Sequence, residues 1–132
     1  MGLQEKRFKA TLQEEVIPYW MRFMQETIEK NIPIEVDWDS FGNRSFNDLQ
    51  YVQTTGVEYV ATSLREIARR DSLGKSAIQA FINKVVLRQE DNAGLKKITV
   101  ENGVLEMHCD WRESSRGWFL EHEIIDIVES LL

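Results

Sequence analysis

The stretch KKITVENGVLEMHCDW, residues 96–111, decides the fold because it contains the clearest strand pattern in the chain. Two runs that pair up as strands flank Asn102-Gly103. A type I′ turn needs positive φ at both of its central residues, which Asn and Gly tolerate. The stretch therefore predicts a β-hairpin with its turn at these two residues.

The second strand of this hairpin separates its side chains onto two faces, because successive residues of a strand point in opposite directions. The apolar face is predicted to carry Leu105, Met107, Cys109 and Trp111, and the polar face Glu106, His108 and Asp110. The only cysteine and its neighbouring histidine then lie on opposite sides of the sheet. A nucleophile and its base must be within hydrogen-bond reach, so we reject a Cys109–His108 catalytic pair and interpret Cys109 as a buried apolar residue.

Glu106, His108 and Asp110 remain candidate metal ligands, since ligands two residues apart on one strand face can share an ion. The hairpin register opposes this interpretation. It places Thr99 opposite Glu106 and Lys97 opposite His108, and a lysine beside the imidazole repels a cation. We favour a solvated strand face over a metal site, and no cofactor is indicated.

Further segments extend the pattern outward from the hairpin. Helical spacing of apolar residues runs over residues 3–30, with a break expected at Pro18, and strict alternation marks a strand at 32–39. Two helical segments then lead to a strand predicted at 84–89, and the last predicted element is an amphipathic helix. The order is α-β-α-α-β-β-β-α. It predicts one α+β domain over residues 1–132, with a mostly antiparallel sheet of three or four strands and helices packed on one face.

An acidic row stands out on the first predicted strand. Glu35, Asp37 and Asp39 alternate with apolar residues in IPIEVDWD, residues 32–39. Three carboxylates on one strand face repel one another unless they stay in water or meet cations. Lys84 and Arg88 would supply those cations if their strand lay alongside, and the functional alternative is a docking surface for a basic partner.

A basic patch is formed by Arg65, Arg69 and Arg70 on a predicted helix. Arg65 and Arg69 lie one turn apart and could hold a phosphate or a carboxylate. Glu66 is placed to pair with Arg70 and so to neutralise part of the patch. Because no aromatic residues interleave these charges, a solvated helix face is favoured over an anion or nucleic-acid site.

Composition narrows the function classes. The 132 residues are 42% hydrophobic and 29% charged, with a net charge of −6, which argues against nucleic acid or anionic membrane as a partner. The single cysteine excludes an intramolecular disulfide, and the charged N-terminal stretch lacks the apolar core of a signal peptide. We therefore expect a cytoplasmic protein that does not bind membranes.

The last sequence feature is an aromatic cluster, Tyr19, Trp20 and Phe23, which covers a wide arc of its helix. Burial in the core explains it, and a homodimer contact is the alternative.

The sequence patterns lead to two hypotheses for the function of the protein. The first is a noncatalytic module that binds a protein partner of basic character, such as an inhibitor or an immunity-like protein. The alternative is a small enzyme that uses surface carboxylates and His108.

Overall fold

Helices and strands follow the predicted order in the computed structural model, which describes residues 2–42, 46–112 and 117–132. The helices are α1 Leu3–Thr11, α2 Ile17–Ile28, α3 Phe46–Tyr51, α4 Tyr59–Arg70, α5 Ser72–Phe81 and α6 Glu121–Leu131. The strands are β1 Ile34–Val36, β2 Lys84–Gln89, β3 Lys97–Glu101 and β4 Val104–Cys109. Together they form one α+β domain.

The turn at Asn102-Gly103 is confirmed by its backbone. The φ angles are +53° at Asn102 and +80° at Gly103, both in the left-handed region that a type I′ turn requires. β3 and β4 pair in the predicted antiparallel register, with Lys97 opposite His108 and Thr99 opposite Glu106.

The expectation of a mostly antiparallel sheet is wrong. The sheet order is β1-β2-β4-β3, in which β1 with β2 and β2 with β4 run parallel. The helices between β1 and β2 return the chain to the end of the sheet at which β1 starts. Such a crossover makes the two neighbouring strands parallel. The connection after β2 then carries β3 to the outer edge, so that β4 lies between them.

Helices cover one face of this sheet. The side chains of the strands that point toward the helices are buried, and they are Ile34, Val36, Val85, Leu87, Ile98, Leu105, Met107 and Cys109. They form one core with buried residues of α2, α4 and α6. Trp111 is fully buried just beyond β4, and its indole Nε1 donates to the carbonyl of Arg88 at 3.1 Å. The opposite side of the sheet carries the polar side chains.

In the described part of the chain two π-helical turns interrupt the helices, the first of them next to the break expected at Pro18. Leu12–Val16 has π-helical geometry and joins α1 to α2, just before Pro18. Proline has no N–H for the regular α-helical bond, and the wider turn accommodates that loss. Val52–Glu58 joins α3 to α4 in the same way. There a Cβ on Gly56 would lie 3.1 Å from Leu87 Cδ1, so glycine lets this helical turn approach the sheet closely.

Candidate functional site

The polar side of the sheet, called here the open face, carries a network of ion pairs. Its central residue is Arg88 on β2, which pairs with Asp37 and also with Glu106 on β4 at 3.2 Å. Lys84, four residues earlier on the same strand, pairs with Glu35 at 3.4 Å. The parallel register creates these pairs, because it places β2 between the two acidic strands.

His108 extends this network along β4. Its Nε2 lies 3.0 Å from Glu106 Oε2, and its Nδ1 lies 3.3 Å from Glu90 Oε1. Each ring nitrogen of His108 therefore faces a carboxylate of this chain. Hydrogen bonds from His108 and then from Arg88 hold the pKa of Glu106 below its ordinary value. The histidine side chain is only 13% exposed.

The acidic row does not lie on one strand. β1 ends at Val36, and Asp39 falls in a 3-10 helix, Trp38–Phe41. The strand predicted for residues 32–39 is therefore shorter than its alternation indicated, because the chain turns after Asp37, where the Ser40 N–H and hydroxyl both donate to the Asp37 carbonyl.

The same turn nevertheless brings the three carboxylates to one concave surface, called here the β1 groove. Its volume is about 500 Å³, and it is lined by Lys9, Glu35, Val36, Asp37, Trp38, Asp39, Lys84, Val86 and Arg88. Asp37 is held by Arg88, whereas the Glu35 side chain is 57% exposed and Asp39 is exposed. Lys9 Nζ lies 5.2 Å from the centre of the Trp38 ring, so an ammonium group already occupies a cation–π position in this groove.

Asp110 is not part of the open face. It lies just after β4, is 4% exposed, and accepts hydrogen bonds from Gln89 Nε2 at 2.9 Å and Arg112 Nε at 2.7 Å. The Arg112 guanidinium, ahead of the Gln89 amide, lowers the pKa of Asp110 to about 2. The strand alternation predicted it beside His108, and that placement is wrong because the strand ends one residue earlier. Across the described ranges no three His, Cys, Asp or Glu side chains are grouped to hold a metal ion.

Cys109 is fully buried on the helix side of β4, as the alternation predicted. Burial raises the pKa of its thiol far above the ordinary value. A thiol that resists ionisation is a poor nucleophile. His108 leaves the same strand on the opposite side, so the two side chains do not meet.

The basic patch on α4 is largely neutralised. Glu66 accepts from Arg69 Nε at 2.9 Å and Nη2 at 2.8 Å, and it lies 3.5 Å from Arg70 Nε. Arg70 also pairs with Glu129 at 3.1 Å. Arg65 turns the other way, toward α2, where it donates to Thr27 Oγ1 at 3.2 Å. The predicted pairing with Glu66 is confirmed, and the three guanidinium groups do not converge on one point.

The aromatic cluster on α2 is half on the surface. Tyr19 is 54% exposed, and its ring meets Trp20 edge to face at 5.0 Å between centroids. Trp20 meets Phe23 in the same way at 5.1 Å, and the Arg65 guanidinium lies 4.7 Å over the Phe23 ring. The core accounts for part of the cluster, and a dimer contact through Tyr19 stays a prediction.

Sequence patterns missed several residues of the site. Lys9 reaches the β1 groove from α1, Glu90 reaches His108 from the end of β2, and Gln89 bridges to Asp110. Each contact joins elements far apart in the chain, and no local spacing marks it. Of the residues in the groove, Trp38 is one that the sequence could have indicated, because a tryptophan within an acidic run is typical of a surface where cations bind.

The part of the chain that the structure describes contains no helix both long and apolar enough to cross a membrane. Comparison with protein-family models, curated proteins and solved structures finds no match to this chain. A function must therefore be argued from the geometry of the site alone.

Proposed function

We propose that this chain is a noncatalytic interaction module that binds a basic segment of a partner protein in the β1 groove. The observation that carries the proposal is the grouping of Glu35, Asp37 and Asp39 on one concave surface of the open face. Asp39 is exposed and forms no ion pair within the described ranges. Its carboxylate is available to a lysine or arginine of another protein.

Glu35 is the second contact for such a partner. Its pair with Lys84 is long, at 3.4 Å, and both side chains are well exposed. Exposed pairs of this kind contribute little to stability, so an incoming cation can replace Lys84 at small cost. Charge complementarity at an exposed rim mainly speeds association and makes it sensitive to salt.

The alternative, a small enzyme based on His108 and the surface carboxylates, has less support. Both ring nitrogens of His108 face carboxylates of this chain, Glu90 and Glu106. A general base needs a nitrogen directed at its substrate. Asp110, the third residue of that hypothesis, is engaged by Arg112 instead.

The test begins with affinity capture of partners from a lysate of the source organism, followed by binding measurements on the purified partner. The double variant Glu35→Gln/Asp39→Asn removes two charges from the groove. Its matched control, Glu26→Gln/Asp126→Asn, removes two exposed charges elsewhere. We expect the groove variant to weaken binding about tenfold and to flatten the salt dependence, and the control variant to bind normally. Equal affinity of both variants would contradict docking in the groove.

A further inference from the structure

We propose that the basic segment of the partner binds as an extended strand that pairs with the free edge of β1. This inference rests on the docking function proposed above and specifies how the partner is held. The β1 groove contains the carboxylates that would bind the basic side chains of the partner. The backbone of β1 beside the groove offers N–H and C=O groups for further hydrogen bonds. Adding a strand to a sheet edge is a recurrent mode of peptide recognition.

Among the residues that the structure describes, no strand pairs with the outer side of β1. β1 is the first strand of the sheet, and its strand neighbour is β2. Val85 N donates to the Pro33 carbonyl at 2.9 Å, and Asp37 N donates to the Leu87 carbonyl at 2.9 Å. In a parallel pair alternate residues face the neighbour, so Glu35 also faces β2, while the N–H and C=O groups of Ile34 and Val36 point outward.

Within the described ranges, no hydrogen bond to these outward groups of Ile34 and Val36 is found. As whole residues, backbone included, the two are 4% and 9% exposed, and their side chains lie in the core. The edge is therefore held rigidly, and a strand that pairs with it does not need to order it first. Because β1 has only three residues, the added strand gains few backbone bonds and depends on its side chains.

Two grooves flank this edge and define the chemistry of those side chains. On the open face lies the β1 groove with Glu35. On the helix side lies a second groove of about 410 Å³, lined by Gln13, Ile17, Ile34, Glu35 and Val36. Neighbouring strands lie about 4.8 Å apart and alternate their side chains. The occupant is thus a segment in which lysine or arginine, directed to Glu35, alternates with an apolar residue, directed to Ile17.

The other edge of the sheet is a poor competitor. β3 begins at Lys97, which is exposed, and an exposed lysine on an edge strand opposes pairing. The sheet therefore offers a basic strand one favourable edge, that of β1.

The experiment uses the full chain and a synthetic peptide, acetyl-Lys-Val-Lys-Val-Lys-Val-Lys-amide. A control peptide has the same side chains with every backbone nitrogen N-methylated, so that it keeps the charge but cannot pair as a strand. Binding is followed by NMR titration and by amide hydrogen exchange. We expect the first peptide to bind at least about tenfold more tightly than the control. We also expect it to slow exchange at Ile34 and Val36 while leaving Glu35, already bonded to β2, unchanged.

The other outcomes separate the two proposals. Equal binding of both peptides, with no protection at Ile34 and Val36 and with loss of binding in the Glu35→Gln/Asp39→Asn variant, would overturn strand addition and leave charge-based docking intact. Failure of both peptides to bind would overturn strand addition together with the docking of basic segments. Protection at the β3 edge instead of at β1 would overturn the assignment of the edge.

Discussion

The buried carboxylate of Asp110 offers the sharpest quantitative prediction. Its pKa falls from an ordinary 3.8 to about 2, mainly through the hydrogen bonds from Arg112, and its side chain is 6% exposed. A lowered pKa in the folded state means that the ionised form stabilises the fold. A shift of roughly 1.8 pH units corresponds to about 2 kcal/mol. The Asp110→Asn variant should therefore lose about 2 kcal/mol of unfolding free energy at pH 7.

The pH dependence of this loss follows from the direction of the shift. The contribution of Asp110 is fully present above the pKa of about 4 that the residue has in the unfolded chain, and it disappears as the pH falls through about 2. The difference between native chain and variant should be constant from pH 7 to pH 5 and should shrink to about half by pH 3.

Urea unfolding followed by tryptophan fluorescence measures this difference at each pH, since Trp111 lies next to the substituted residue and is fully buried. Asp39→Asn, at an exposed carboxylate, is the matched control and should change the unfolding free energy by less than about 0.5 kcal/mol. A penalty for Asp110→Asn that is equally large at pH 3 and pH 7 would refute the reasoning, because it would mean that lost packing, and not the lost charge, destabilises the variant.

Three further predictions concern single side chains. Cys109 should react with a thiol reagent at neutral pH only as fast as the domain opens, because the residue is fully buried and its raised pKa keeps the thiol protonated; rapid reaction in the native state would contradict this. Arg88→Met should raise the pKa of Glu106 toward its ordinary value by removing one of the two side chains that donate hydrogen bonds to its carboxylate. An NMR titration of the Glu106 carboxyl group measures this pKa, and an unchanged value would contradict the prediction. Gly103→Ala should cost at least about 1–2 kcal/mol in thermal unfolding, since φ is +80° and the new Cβ would overlap the Asn83 side chain; Asn83→Ala in the same chain should recover part of the loss.

Local patterns predicted the elements of this fold well, because each depends on residues close together in the chain. Asn102-Gly103 specifies the turn between β3 and β4, and the turn in turn specifies that Lys97 lies opposite His108. Pro18 marks a break in the first helix through its missing N–H. Strand order has no such local signal. Either edge of β4 could have received β2 or β3, and the choice depends on how the whole chain packs over the helix side of the sheet.

In the site, too, features that depend on neighbouring residues were predicted correctly, and features that depend on long-range contacts were not. Alternation correctly separated Cys109 from His108, since the side-chain period of a strand is two. It misplaced Asp39 and Asp110, because each lies just beyond the end of a strand, where the period no longer holds. Boundaries of this kind depend on long-range contacts such as the hydrogen bond from Gln89 to Asp110. The neutralising role considered for Lys84 and Arg88 depended on strand order, and their strand does lie beside β1.

Because of these ion pairs, Asp39 is the residue that best distinguishes the two interpretations of the acidic row, a docking surface for a partner and a merely solvated surface. Glu35 and Asp37 have cationic partners within the sheet, so their presence on the open face follows from structure alone. Asp39 has no ion-pair partner in the described ranges, yet it lines the same groove. On either interpretation Asp39→Asn should leave stability unchanged, because the carboxylate is exposed. Only docking predicts that it weakens the binding of a basic segment, so an effect on affinity without an effect on stability identifies the groove as a binding surface.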